Sequence, residues 1–167
     1  MKPKEQEFLS RLEQHKGILY KVSKMYMDTK DDQDDLFQEI TFQLWKAYGS
    51  FKGESQFSTW MYRVAINTSI VFLKKEKRKT DKYELSNDNI KEEESDSEIK
   101  ENQINHFYKA LQQLDKIDKA IIFYQLEGFS HKEIGQNLGI SEGNARVKLN
   151  RAKDKLKLII KNQGYGL

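Results

Sequence analysis

The stretch GFSHKEIGQNLGISEGNARVKLNRAKDKLK, residues 128–157, contains two helix starts separated by one sharp turn. Ser130 followed by Glu133 has capping-box spacing, Ile134 and Leu138 give one apolar stripe, and Gly139 allows a tight turn. Ser141 then caps a second, longer and basic helix. A short helix, a glycine-containing turn of about three or four residues and a longer basic helix make a helix-turn-helix, whose second helix enters the major groove of duplex DNA. At about 100° per residue, Ala145, Leu149, Ala152 and Leu156 share the face that must pack on the first helix. Arg146, Val147, Asn150 and Arg151 then point outward. Arginine can reach guanine bidentately, asparagine can reach adenine, and an exposed valine suits a thymine methyl. Lys148 and Lys153 flank this face and suit phosphate. An ordinary amphipathic helix pair with solvated cations explains each feature singly, but not their coincidence.

Working outward, the chain reads as all-α: two small helical domains joined by a flexible acidic linker, the second carrying the helix-turn-helix. Apolar residues at helical spacing predict helices near 4–27 (Phe8, Leu12, Leu19, Val22), 33–48 (Leu36, Ile40, Leu44, Ala47) and 56–77. Tyr48, Gly49 and Ser50 end the second helix, and Gly53 marks the loop before the third. The expected domains are 1–79, a linker over 80–102, and 103–167, where periodicity resumes with Phe107, Leu111 and Leu114. Residues 81–101 carry nine acids and three lysines, a net charge of −6 that predicts an extended tether.

The composition closes several routes. No cysteine is present among the 167 residues, which excludes disulfides, thiolate metal sites and a cysteine nucleophile and fits a reducing, cytoplasmic setting. The histidines, at 15, 106 and 131, are too scattered for a metal or catalytic cluster, so no cofactor and no enzyme activity are expected. No apolar run approaches the ~20 residues that span a bilayer, no cleavable signal precedes the charged N-terminus, and no membrane insertion is expected.

Charge is unevenly placed. Asp28, Asp31, Asp32, Asp34, Asp35 and Glu39 face only Lys30 over 28–39, a net −5 at a predicted helix start, where negative charge is welcome. KKEKRK, residues 74–79, is net +4, and residues 141–161 hold seven cations against Glu142 and Asp154. Just before KKEKRK, FSTWMYRVAIN (57–67) puts Trp60, Val64, Asn67 and Val71 on one stripe, with Tyr62, Ile66 and Ser69 roughly opposite. Ordinary packing favours Trp60 and Phe57 as core and the lysines as a solvated tail. The rival is a surface for unpaired bases, rings stacking on base faces and Asn67 reaching a base edge.

DDLFQEITFQLWKAYGSFKGESQFSTWMYRVAIN, taken with the helix-turn-helix, resembles a bacterial RNA polymerase sigma factor of the extracytoplasmic-function group. The resemblance implies partners: core RNA polymerase, promoter DNA as duplex and as melted non-template strand, and, for some members, an anti-sigma protein. It implies that Asp35, Leu36, Gln38, Glu39 and Phe42 dock on the polymerase clamp, with Trp45 the usual aromatic beside them. Phe51, Lys52, Gly53, Gln56 and Phe57 correspond to the loop that cups a flipped base, with Tyr62, Arg63, Val64 and Asn67 beside it and Lys74 and Lys75 on phosphates. In the second domain it implies duplex contacts at Arg146, Val147, Asn150 and Arg151 and extends them to Asn144. Members usually carry Thr-Val and then a basic-small pair where this chain has Asn144, Ala145, Arg146 and Val147, so its upstream target is not transferable. Two other functions compete: a stand-alone helix-turn-helix regulator, and a protein or membrane-surface adaptor using the basic helix end.

Overall fold

The computed structural model describes residues 2–80 and 96–164. Packing divides the chain into two units, Met1–Ser86 and Asn87–Leu167. Among the described residues every regular element is a helix.

In the first unit, α1 (Pro3–Tyr26) opens with proline in its first turn, where a missing N–H leaves no bond unmade. α2 (Lys30–Tyr48) starts earlier than residue 33 because Thr29 Oγ1 accepts the Asp32 N–H at 3.2 Å. That cap puts Asp31 and Asp32 in the first turn, and Lys30 pairs with Asp34 at 2.8 Å across it. α3 spans Phe57–Thr80. The three helices pack pairwise. Leu36, Ile40, Leu44 and Tyr48 form the buried stripe of α2 and meet Phe8, Leu19, Val22 and Met25 of α1. Met61, Ala65 and Ile66 of α3 complete the core. Each large apolar side chain buried here contributes about 1.5–3 kcal/mol relative to exposure.

In the second unit, α4 is Asp96–Gln112, α5 Lys116–Leu126, α6 His131–Leu138 and α7 Glu142–Asn162. α4 begins inside the segment expected to be linker: acid-rich sequence suits a helix's first turn as well as it suits a solvated spacer. The remainder of the expected tether, 81–95, lies outside the described residues. α5 is buried continuously from Asp118 to Tyr124, and α7 packs against α4, α5 and α6. Asp115 caps it, its carboxylate accepting the N–H groups of Ile117 at 3.1 Å and Asp118 at 2.8 Å. Partial burial pushes the Asp115 carboxyl upward, but these backbone donors and Lys155 outweigh it and hold it below the ordinary range. Asp118 ties α5 to α7 through Lys155 Nζ at 2.8 Å, and that bond raises the lysine's pKa.

The turn between α6 and α7 is built as the sequence suggests. Ser130 Oγ accepts from Glu133 N and Glu133 Oε1 accepts from Ser130 N, both at 3.1 Å, and the donated backbone N–H holds the Glu133 carboxyl below its usual value. Gly139 stands at φ 72°, ψ 32°, its N–H and that of Ile140 both turned to the Gly135 carbonyl. Gly135 itself was not singled out by the sequence pattern. A Cβ there would lie 2.7 Å from the Ile140 carbonyl oxygen, so only glycine lets the turn close on α6.

Candidate nucleic-acid and polymerase interfaces

On α7 the helical projection holds. Ala145, Leu149, Ala152 and Leu156 are buried, and Asn144, Arg146, Val147, Asn150 and Arg151 are exposed. Val147, at 47% exposure, is an apolar side chain offered to solvent from a helix whose core face is already complete. Lys148 and Lys153 are half-buried at the flanks, their stems on protein. The Ser141 hydroxyl accepts the Asn144 N–H at 3.1 Å, which fixes the start of the helix and leaves the Asn144 side chain outside. Arg146 touches two neighbours, its Nε 3.5 Å from His131 Nδ1 at the start of α6 and a terminal nitrogen 3.9 Å from Glu142 Oε1. His131 carried no signal in the sequence, because residues fifteen apart meet only once the turn has formed.

In the first unit the residues of 57–67 divide by burial. The core face of α3 is Met61, Tyr62, Ala65, Ile66 and Ser69, whereas Arg63, Asn67 and Val71 are exposed and Trp60 and Val64 half-buried. Phe51, Phe57 and Trp60 are neither core nor free: they pack on one another at the surface, with centroids 5.7 Å (Phe51–Phe57), 5.1 Å (Phe51–Trp60) and 5.4 Å (Phe57–Trp60) apart. Loop 49–56, turning at Gly53 with φ 72°, sets exposed Lys52 and Gln56 beside these rings. Lys74 and Lys75 are exposed further along α3. One expected contact changes: Tyr62 is only 9% exposed, so its ring belongs to the helix-packing face rather than to a base-stacking surface.

On α2 the outward side chains include Asp35, Gln38 and Phe42, the last 58% exposed, and Trp45. Glu39 is half-buried and accepts from Gln43 Nε2 at 3.0 Å. Leu36 requires a correction. It is fully buried in the α2 stripe, so it shapes the helix from behind and presents nothing to a partner. Phe8, Leu9, Phe37, Gln38, Phe42 and Trp45 line an open groove of about 410 Å³ between α1 and α2. Leu9, 43% exposed, and Phe37 line this groove without having been marked by the sequence pattern. No group of three or more histidine or carboxylate side chains among the described residues could hold a metal ion, and no described helix is long and apolar enough to cross a membrane.

Comparison with known proteins gives these surfaces a family. Residues 12–79 match Sigma-70 region 2 and residues 105–156 match Sigma-70, region 4. The RNA polymerase sigma-H factor of Pseudomonas aeruginosa is 27% identical over 153 residues, covering 84% of this chain and 78% of that protein. The ECF RNA polymerase sigma-E factor of Escherichia coli K12 is 27% identical over 135 residues, 74% of this chain and 71% of its own length. The fold is that of the sigma factor RpoE from Bartonella quintana, solved in complex with the anti-sigma factor NepR, with a TM-score of 0.70 and 19% identity over 93% of this chain and 98% of that one. With one sigma-70 region in each unit, the chain belongs to the bacterial RNA polymerase sigma factors, in the extracytoplasmic-function group.

Proposed function

We propose that this sigma factor divides its work between its two units. The chain binds core RNA polymerase and directs promoter recognition and transcription initiation. α7 reads the upstream element as duplex, with Arg146, Val147, Asn150 and Arg151 on base edges and Asn144, Lys148 and Lys153 on the backbone. The ring cluster and Lys52, Gln56, Arg63, Val64 and Asn67 take up the melted strand, and Lys74 and Lys75 attract its phosphates. Asp35, Gln38, Glu39 and Phe42, with the apolar groove beside them, meet the polymerase. The chain acts without catalysis of its own, in the cytoplasm, and an anti-sigma protein is the partner inferred for its inactive state.

The observation that carries this division is the exposure of Arg146, Val147, Asn150 and Arg151 on one side of α7 in the same chain as a surface-packed ring cluster. A duplex reader alone has no use for rings stacked beside a lysine-bearing loop. Run-off transcription on genomic fragments with purified core enzyme tests it: promoter-specific transcripts are expected only when both proteins are present. A gel shift in which the chain binds a specific duplex as tightly without core enzyme as with it would favour the stand-alone regulator.

A further inference from the structure

The two ends of loop 49–56 are anchored on α1. The Tyr48 hydroxyl donates to Glu7 Oε1 at 2.9 Å, and the same carboxylate oxygen meets Arg11 Nη2 at 3.0 Å. Arg11 sets its guanidinium 5.4 Å from the centroid of Phe57. His15, one turn on, lies 5.6 Å from the same ring and donates Nδ1–H to the Arg11 carbonyl at 3.0 Å. Lys4 reaches the other end of this face, its Nζ close to Gly49 where α2 ends. Positions 4, 7, 11 and 15 recur at helical spacing, so one side of α1 backs both ends of the loop. Glu7 and Arg11 lie ahead of residue 12, where the region 2 match begins.

Resting on the assignment of this loop to the melted strand, we propose that Glu7 and Arg11 are positioning residues for strand capture. A ring at the surface can tilt, and a cluster of tilting rings offers an extruded base no fixed face. Arg11 lies over Phe57 and restrains it, and Phe57 in turn contacts Phe51 and Trp60. Glu7 restrains Arg11, and Tyr48, buried to 7% exposure, restrains Glu7. Because Glu7 neutralises Arg11, the pair has no net charge with which to attract phosphate, and its action is geometric.

The test uses the full chain bound to core enzyme and a promoter recovered by run-off, carried on bubble templates with each base placed in turn at each unpaired non-template position. Arg11→Ala is expected to weaken bubble binding by about two- to fivefold and to flatten the preference among bases. Glu7→Gln and Tyr48→Phe should each lose less in the same direction, and the double variant no more than the larger single, since both act through one link. Arg11→Lys should restore affinity better than base preference, because an ammonium keeps the charge without the planar contact. Thermal midpoints control for folding. If Arg11→Ala shifts the midpoint but leaves base preference intact, the role is structural and the proposal falls. Full rescue by Arg11→Lys, with a salt slope lowered by about one in Arg11→Ala, would mean a direct phosphate contact and would equally overturn it. Phe51→Ala and Phe57→Ala separate the two layers. Parental bubble binding by both refutes the loop assignment and the proposal with it, whereas a loss in both beside silent Arg11 and Glu7 variants refutes only the positioning.

Discussion

Arg151 and Val147 both stand on the exposed side of α7, one charged and the other apolar yet 47% exposed. A base edge accounts for both. Arg151→Ala is expected to cost about 1–3 kcal/mol at a matching promoter and to relax preference at one position. Val147→Ser should change preference at a thymine more than overall affinity. Transcription from a panel of upstream-element variants checks the pair; parental ratios across the panel would remove α7 from the major groove. Asn67 is exposed on α3, one turn beyond half-buried Val64, and its proposed partner exists only once strands part. Asn67→Ala should therefore slow promoter opening while leaving upstream duplex binding intact, and a pre-melted downstream element should restore part of the rate. Equal defects on closed and pre-melted templates would point to folding instead.

The α6–turn–α7 element shows what a sequence makes legible and what it hides. Ser130, Glu133, Gly139 and Ser141 act on neighbours within a turn or so, so their spacing alone announced the caps and the left-handed exit. Gly135 acts on a backbone atom across the turn, at Ile140, which no periodicity records. Alanine there would gain up to about 1 kcal/mol of helix propensity in an open site. Here its Cβ meets a carbonyl that can retreat only by disturbing the 2.9 Å bond from the Ile140 N–H to the Gly135 carbonyl. Overpacking of about 1–3 kcal/mol and a bond worth roughly 1 kcal/mol outweigh the propensity. Gly135→Ala should lower unfolding free energy by about 1–2 kcal/mol and duplex affinity with it, read by thermal denaturation and gel shift. An unchanged midpoint would show that α7 can shift without cost. The Arg146–His131 contact and the Asp118–Lys155 pair were hidden for the same reason, each joining residues far apart in the chain.

For the whole molecule, periodicity gave the order of the helices and most of both buried faces, because stripes such as Leu36, Ile40 and Leu44 repeat at constant interval; that stripe closes on buried Tyr48 rather than on the expected Ala47, which is half-buried. The outward roles of Tyr62 and Leu36 came from the resemblance instead, which assigns positions without weighing burial. Phe57 and Trp60 depart from the core that ordinary packing favoured, being half-buried and packed on Phe51 at the surface. The charge of the expected tether remains: residues 81–101 carry nine acids and three lysines, of which Asp96, Glu98 and Glu101 belong to α4. We propose that this negative charge favours the basic channels in which the polymerase holds nucleic acid, a role that length alone does not require. Replacing Glu92, Glu93, Glu94, Asp96 and Glu98 by Gln or Asn should weaken association with core polymerase, most at low salt, with duplex binding by a fragment of the second unit unchanged. Constant core affinity across a salt series, with tighter non-specific DNA binding by the free variant, would make the acids a shield for KKEKRK instead.

The chain has two tryptophans, and they fall one to each proposed contact of the first unit. Trp45, 40% exposed, lines the groove, whereas Trp60 is stacked among the rings behind the loop. The molecule thus carries two intrinsic optical reporters. Hydroxytryptophan, excited to the red of ordinary indole, makes them visible against polymerase. In a Trp60→Phe background, core enzyme should shield the remaining fluorophore from collisional quenchers, while single-stranded DNA leaves it dim or bright as before. In a Trp45→Phe background, the holoenzyme's emission should fall when a bubble template is added, as bases stack near the indole and drain its excited state. A signal that follows both ligands from either position would mean that docking and capture share one surface.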